Sequence, residues 1–164
     1  CYAGGEPPAA KGSDPPGEGL TWRRVFDPYQ KMIAGRKVAV IGHFPFAESA
    51  LAGAGEYICH ERNLQPGDWP DSACEYVLPE CDVVFISSSS FVNKTAPRLI
   101  ELSRDAHTVL VGPSTPISPV LLDYGVDTVT GFVAARSLSD PAALAEMVPA
   151  GDIGPGFRVH RHRV

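Results

Sequence analysis

Long apolar runs are missing from this 164-residue chain, and no stretch approaches the roughly 18 residues a membrane-spanning helix needs. A bilayer is therefore not an expected partner. The N-terminal residues lack the charged region and apolar core of a signal peptide. Positive charge is also scarce: 14 Lys and Arg stand against 19 Asp and Glu, for a net charge of −5. Nucleic-acid binding needs a basic footprint, so that partner class is excluded as well. Only four cysteines occur, Cys1, Cys59, Cys74 and Cys81, at irregular spacing. They read as reduced thiols in a cytoplasmic protein rather than as a disulfide framework. No Cys-x-x-Cys or His-x-x-x-His pair is present, so no structural zinc site is legible. A nucleophile elbow, a Walker loop and a kinase motif set are absent too.

What is present is a repeated alternation of apolar strands and helical segments. The clearest strand covers residues 37–42, where Val38, Ala39, Val40 and Ile41 form an uninterrupted apolar run. That pattern suits a strand buried on both faces of a parallel sheet. Further strands are predicted over 56–61, 82–87, 108–112 and 127–133. Helices are predicted over 21–34 (broken at Asp27-Pro28), 72–78, 93–104, 118–124 and 139–147, with a turn or short helix over 48–55. Right-handed βαβ units follow from this order. The expected fold is α/β: a three-layer, Rossmann-like sandwich with a mainly parallel five-stranded sheet and its first strand inside. Residues 1–20, rich in Gly and Pro, read as an extended or disordered leader, 21–150 as the domain, and 151–164 as a C-terminal tail.

Ligands of open α/β sheets sit past the carboxyl ends of the strands. Gly42, His43, Phe44 and Pro45 follow the first strand, and Glu61 ends the second, with Asp68 further on. Ser88 follows the third, with Asn93 and Thr95 close behind; Gly112, Pro113, Ser114 and Thr115 follow the fourth. These residues are expected to converge on one rim. His43 would be the polar or metal-facing group, Phe44 an apolar wall, and Asn93, Thr95, Ser114 and Thr115 a hydrogen-bonding edge. The Gly-x-Gly-x-x-Gly dinucleotide fingerprint is replaced by Gly42-His-Phe-Pro-Phe-Ala, which disfavours a pyrophosphate. Glu61 nevertheless stands where an acid often takes ribose hydroxyls, so a nucleoside-like ligand stays open. On strand alternation Cys59 and Glu61 share a face. Cys59 and Cys81 read as small apolar packing groups.

Several of these segments together carry a resemblance. Lys37-Val-Ala-Val-Ile-Gly-His-Phe-Pro-Phe46, Pro66-Gly-Asp68, Leu78-Pro-Glu-Cys-Asp-Val-Val84, Asn93-Lys-Thr95, Gly112-Pro-Ser-Thr-Pro116 and Asp123-Tyr-Gly125 resemble the putative heavy-metal chelation family over residues 35–150. The resemblance implies a Rossmann-like C-terminal domain that follows an enolase-N-terminal-like domain, with a site between the two. Here only a short segment precedes Trp22, and the chain opens on Cys1. A processed product or the back part of a longer protein is the expectation. The run Ser87-Ser-Ser-Ser90 also departs from the threonine- and glycine-rich turn of relatives.

The functional expectation is a domain that binds a small molecule or metal chelate at the carboxyl edge of its sheet, with a divalent metal ion as the cofactor at His43. Two alternatives stay open. One is a transferase-like enzyme using a nucleoside cofactor such as S-adenosylmethionine. The other is a non-catalytic subunit whose site is completed by an enolase-N-terminal-like partner domain or by a homo-oligomer.

Overall fold

A computed structural model describes residues 22–132 and 156–160. Seven strands form one sheet: β1 (Lys37–Ile41), β2 (Glu56–Glu61), β3 (Trp69–Pro70), β4 (Val83–Ser87), β5 (His107–Val111), β6 (Thr128–Phe132) and β7 (Gly156–His160). Their order is β3-β2-β1-β4-β5-β6-β7. β1 to β6 run parallel and β7 pairs antiparallel with β6. This is the strand order of doubly wound α/β sheets, in which the chain reverses direction of travel between β1 and β4. β1 thus lies inside the sheet, with β2 on one side and β4 on the other.

Five strands coincide with the apolar runs of the sequence to within a residue or so. β3 and β7 are additional. β3 is two exposed residues, one of them a proline, so it carries no apolar pattern. β7 lies inside the segment read as a tail, and its Gly, Arg and His residues hide its strand character. The helix expected over 139–147 and the leader over 1–20 lie outside the described residues.

The helices are short: α1 (Gln30–Ile33), α2 (Ala47–Ala50), α3 (Cys74–Val77), α4 (Ser89–Val92), α5 (Ala96–Leu102) and α6 (Val120–Asp123). The expected 21–34 helix is indeed interrupted: 3-10 turns at Trp22–Arg24 and Asp27–Tyr29 precede α1. The 93–104 helix starts later than the pattern implies, because Lys94 takes a left-handed φ of 65° and separates α4 from α5. Among the described residues no helix is long and apolar enough to cross a membrane.

Each face of the sheet carries its own core. One is mainly aliphatic, built on Ala39, Ile58, Val84, Ile86 and Leu110 with α3 and α5 packed over it. The other is aromatic: Phe26, Tyr29, Phe44, Phe85 and Phe132 pack with Val38, Val40 and Val109. The alternation along β1 and β2 assigns neighbouring side chains to opposite cores, so the carboxyl end of the sheet has two distinct sides.

Candidate metal and ligand site

The first side is built around the turn after β1. Gly42 has φ of +100°, and a Cβ there would lie 2.9 Å from the Ser87 Cβ. Only glycine turns the chain here without a clash. Its N–H donates to the His60 carbonyl at 2.9 Å, which carries the β1–β2 pairing one residue further. His43 follows, and its backbone N–H donates to Glu61 Oε2 at 2.9 Å. Glu61 Oε1 accepts the N–H groups of Arg62 at 2.7 Å and Asn63 at 3.4 Å. The Glu61 carboxylate therefore ties the loop after β1 to the end of β2, and both its oxygens are engaged by backbone.

The loop after β2 then folds back. Asp68 N–H donates to the Gln65 carbonyl at 3.0 Å, and Gln65 N–H donates to Asp68 Oδ2 at 3.0 Å. This closed turn swings the Asp68 carboxylate, 5% exposed, towards His43, with 3.7 Å between Oδ2 and Nδ1. Cys59 projects from β2 into the same space, its sulfur 4.0 Å from the Gly42 carbonyl. One donor atom each from His43, Cys59 and Asp68 lies within 4.8 Å of the others.

The Gln65 N–H holds the Asp68 carboxyl below its usual range against the cost of burial, and Cys59 and His43 add to the effect. Burial, and then the neighbouring Asp68 carboxylate, push the Cys59 thiol up to about 12. Tyr57, beside it, is also pushed up, first by burial and then by Cys59. A thiol, an imidazole and a carboxylate form the N, S, O donor set that zinc and softer divalent ions take. A tetrahedral site with bonds of about 2.0–2.3 Å needs donors roughly 3.3–3.8 Å apart. The observed trio, within 4.8 Å, would contract by up to about 1 Å to meet that, and three protein donors would leave a fourth position open.

The remaining candidates divide. Phe44, 6% exposed, is not a ligand wall; it is packed into the aromatic core, 5.3 Å from the Trp22 ring centroid and 5.6 Å from that of Phe26. Pro45 is exposed. Ser88 and Thr115 turn inward: Thr115 Oγ1 donates to the Gly112 carbonyl at 2.8 Å and accepts from the Ser88 hydroxyl, which also lies 3.2 Å from the Val111 carbonyl. Buried hydroxyls must find partners, and these two find them within the protein. The Thr115 hydroxyl therefore faces β4 and β5 instead of His43. In the same loop Gly112 is buried, Pro113 half-buried and Ser114 exposed.

The second side of the edge holds a cavity of about 230 Å³ between the ends of β1, β2 and β4 and helices α3 and α5. Gly42, Glu61, Asn93 and Thr95 line it, together with His60 and Ser90. Asn93 Oδ1 accepts the Thr95 hydroxyl at 2.6 Å and the Thr95 N–H at 3.2 Å, which shapes the rim. Burial lowers the His60 pKa. The expected single rim is thus divided between a donor cluster and a cavity, with Gly42 and Glu61 bordering both. Cys59, His60 and Ser90 are not among the site residues that the sequence singles out. Cys59 and His60 close an apolar strand run and look like core filler, and Ser90 is one serine among four.

Known proteins agree with this architecture. No curated protein matches the chain. A protein of unknown function from Desulfitobacterium hafniense DCB-2, assigned to the DUF364 family, is 38% identical; the match covers 81% of this chain and 56% of that one, with a TM-score of 0.70. A DUF364 protein of unknown function from Pyrococcus horikoshii is 19% identical over 80% of this chain and 58% of its own, with a TM-score of 0.64. The chain therefore spans little more than half the length of these solved relatives. The model of the DUF364 family, described as putative heavy-metal chelation, matches residues 24–159, and the chain belongs to that family.

Proposed function

We propose that this chain binds a zinc-like or softer divalent metal ion, free or as a chelate, through His43, Cys59 and Asp68. The observation that carries the reading is the approach of three chemically different donors from the β1 loop, β2 and the β2–β3 loop to within 4.8 Å. The closed Gln65–Asp68 turn and the Glu61 clamp on His43 support it, because they preorganise the Asp68 and His43 donors. The family description points the same way. The open fourth position suits a donor atom of a small chelating molecule, or one from a second domain or chain. The nucleoside-cofactor reading has less support: it needs a free Glu61 carboxylate, and both oxygens accept backbone N–H groups.

Calorimetric titration with Zn²⁺ and Cd²⁺ tests the proposal. The wild-type chain is expected to bind one equivalent, and His43→Ala, Cys59→Ala and Asp68→Asn each to lose affinity by more than the about 10–100-fold that loss of an outer-shell partner costs. Equal, weak binding in all four proteins would remove the metal role.

A further inference from the structure

The cavity bordered by Gly42 and Glu61 has features that the metal site does not use. It lies past the carboxyl ends of β1 and β4, the two strands between which the strand order reverses. In doubly wound sheets that crevice is where ligands settle. Ile41 from the end of β1, with Leu99 and Leu102 from α5, gives it an apolar wall. Charged side chains line it too: three carboxylates, Glu61, Asp71 and Glu75, against two guanidiniums, Arg62 and Arg98.

Most of these charges are satisfied within the protein. Glu61 accepts backbone N–H groups at both oxygens. Arg98 donates from Nε and Nη2 to the two oxygens of Glu75, and from Nη1 to Glu101. The Arg62–Asp71 pair differs. It rests on one contact, from Arg62 Nε to Asp71 Oδ2 at 2.9 Å. Among the described residues nothing bonds Nη1 or Nη2 of Arg62, or Oδ1 of Asp71. Both side chains are about half exposed, so their pairing contributes little and can shift to admit a ligand. Asn93 adds a neutral donor, because Thr95 occupies its Oδ1 and leaves the Nδ2 hydrogens.

These free groups narrow the occupant. A guanidinium edge and an amide N–H receive a carboxylate. The carboxylate oxygen beside them receives an ammonium. A lone anion would meet three carboxylates, and a lone cation two guanidiniums, whereas a zwitterion answers both signs without net charge. A volume of about 230 Å³ lies below the roughly 300–1,000 Å³ of drug-sized sites, so the zwitterion is small.

We propose that this cavity is a second binding site, for an α-amino acid with an aliphatic side chain. Its carboxylate pairs with the Arg62 guanidinium and Asn93 Nδ2, and its ammonium with Asp71 Oδ1. Its side chain lies against Ile41, Leu99 and Leu102. Nothing in this pairing requires a metal at His43.

The test uses L-leucine as the probe, with isocaproate, which lacks the ammonium, and isoamylamine, which lacks the carboxylate. Amide ¹H–¹⁵N NMR of the metal-free chain, with EDTA present, reads binding apart from the metal site. Expected are saturable leucine shifts at Arg62, Asp71 and Asn93, with both analogues at least about tenfold weaker, the scale of one lost hydrogen bond between charged groups. Arg62→Gln is expected to weaken leucine to that extent without weakening isoamylamine. Asp71→Asn is expected to weaken leucine without weakening isocaproate. A merely structural role would weaken leucine and the analogue alike in each variant, and that result would overturn the proposal. So would leucine shifts that fail to saturate or that fall elsewhere, or either analogue binding the wild type as tightly as leucine. The wild-type readouts need no variant to fold.

Discussion

The carboxylate of Glu61 grips the backbone N–H of His43 at 2.9 Å, binding the last residue of β2 to the loop that leaves β1. An acid expected to meet a ligand instead fixes the backbone of His43, a member of the proposed metal trio. On the proposed metal reading Glu61 is a positioning residue, and its removal is expected to leave the three donors present but His43 unsupported. Glu61→Gln is expected to weaken Zn²⁺ binding by about tenfold, the scale of outer-shell effects, with an unchanged stoichiometry. Calorimetry on the two proteins checks this. An unchanged affinity would mean that the loop is held by other means.

Metal binding to Cys59 must also displace a proton. With its thiol pushed up to about 12, Cys59 is protonated at neutral pH. Rising pH lowers the cost of losing that proton, so affinity rises with pH, by about tenfold per unit above pH 7. Titration in buffers of different ionisation enthalpy is expected to show about one proton released per metal ion bound. Proton release that is the same in Cys59→Ser would show that the thiol takes no part.

Phe44 belongs to the core and not to the ligand. It is 6% exposed, and its ring meets those of Trp22, Phe26 and Phe46. Phe44→Ala is therefore expected to cost about 3–5 kcal/mol of stability, read from urea unfolding. A loss below 1 kcal/mol, with metal affinity reduced instead, would return Phe44 to the site.

Thr115 gives the opposite kind of test. Its hydroxyl bonds Ser88 and the Gly112 carbonyl, so Thr115→Val removes a buried pairing and leaves Ser88 with only the Val111 carbonyl. The expected cost is about 1–3 kcal/mol in urea unfolding, with Zn²⁺ affinity unchanged. A drop in Zn²⁺ affinity without loss of stability would place that loop at the metal after all.

These outcomes bear on what the sequence made legible. The parallel core of the sheet was readable because Val38–Val40 and Val83–Ile86 are buried on both faces, and burial on both faces leaves an unbroken apolar run. β3 was not, since two exposed residues with a proline have no periodicity to read. At the edge of the sheet, Gly42 and His43 announced a turn at a strand end. Strand alternation even set Cys59 apart from His60. What it could not supply was the return of the 65–68 loop, which depends on a closed pair of hydrogen bonds between Gln65 and Asp68. Without that fold-back, Cys59 is only a small buried side chain. Ser88 and Thr115 misled in the reverse sense: hydroxyls at strand ends look available until their mutual bond, formed between loops 27 residues apart, is seen.

The most direct measurement is X-ray absorption at the cadmium edge of the chain loaded with one equivalent of Cd²⁺. The account predicts one sulfur together with nitrogen and oxygen donors in the first coordination shell, and loss of that sulfur in Cys59→Ser. A wild-type shell of oxygen and nitrogen alone, or a sulfur that persists in Cys59→Ser, would contradict it.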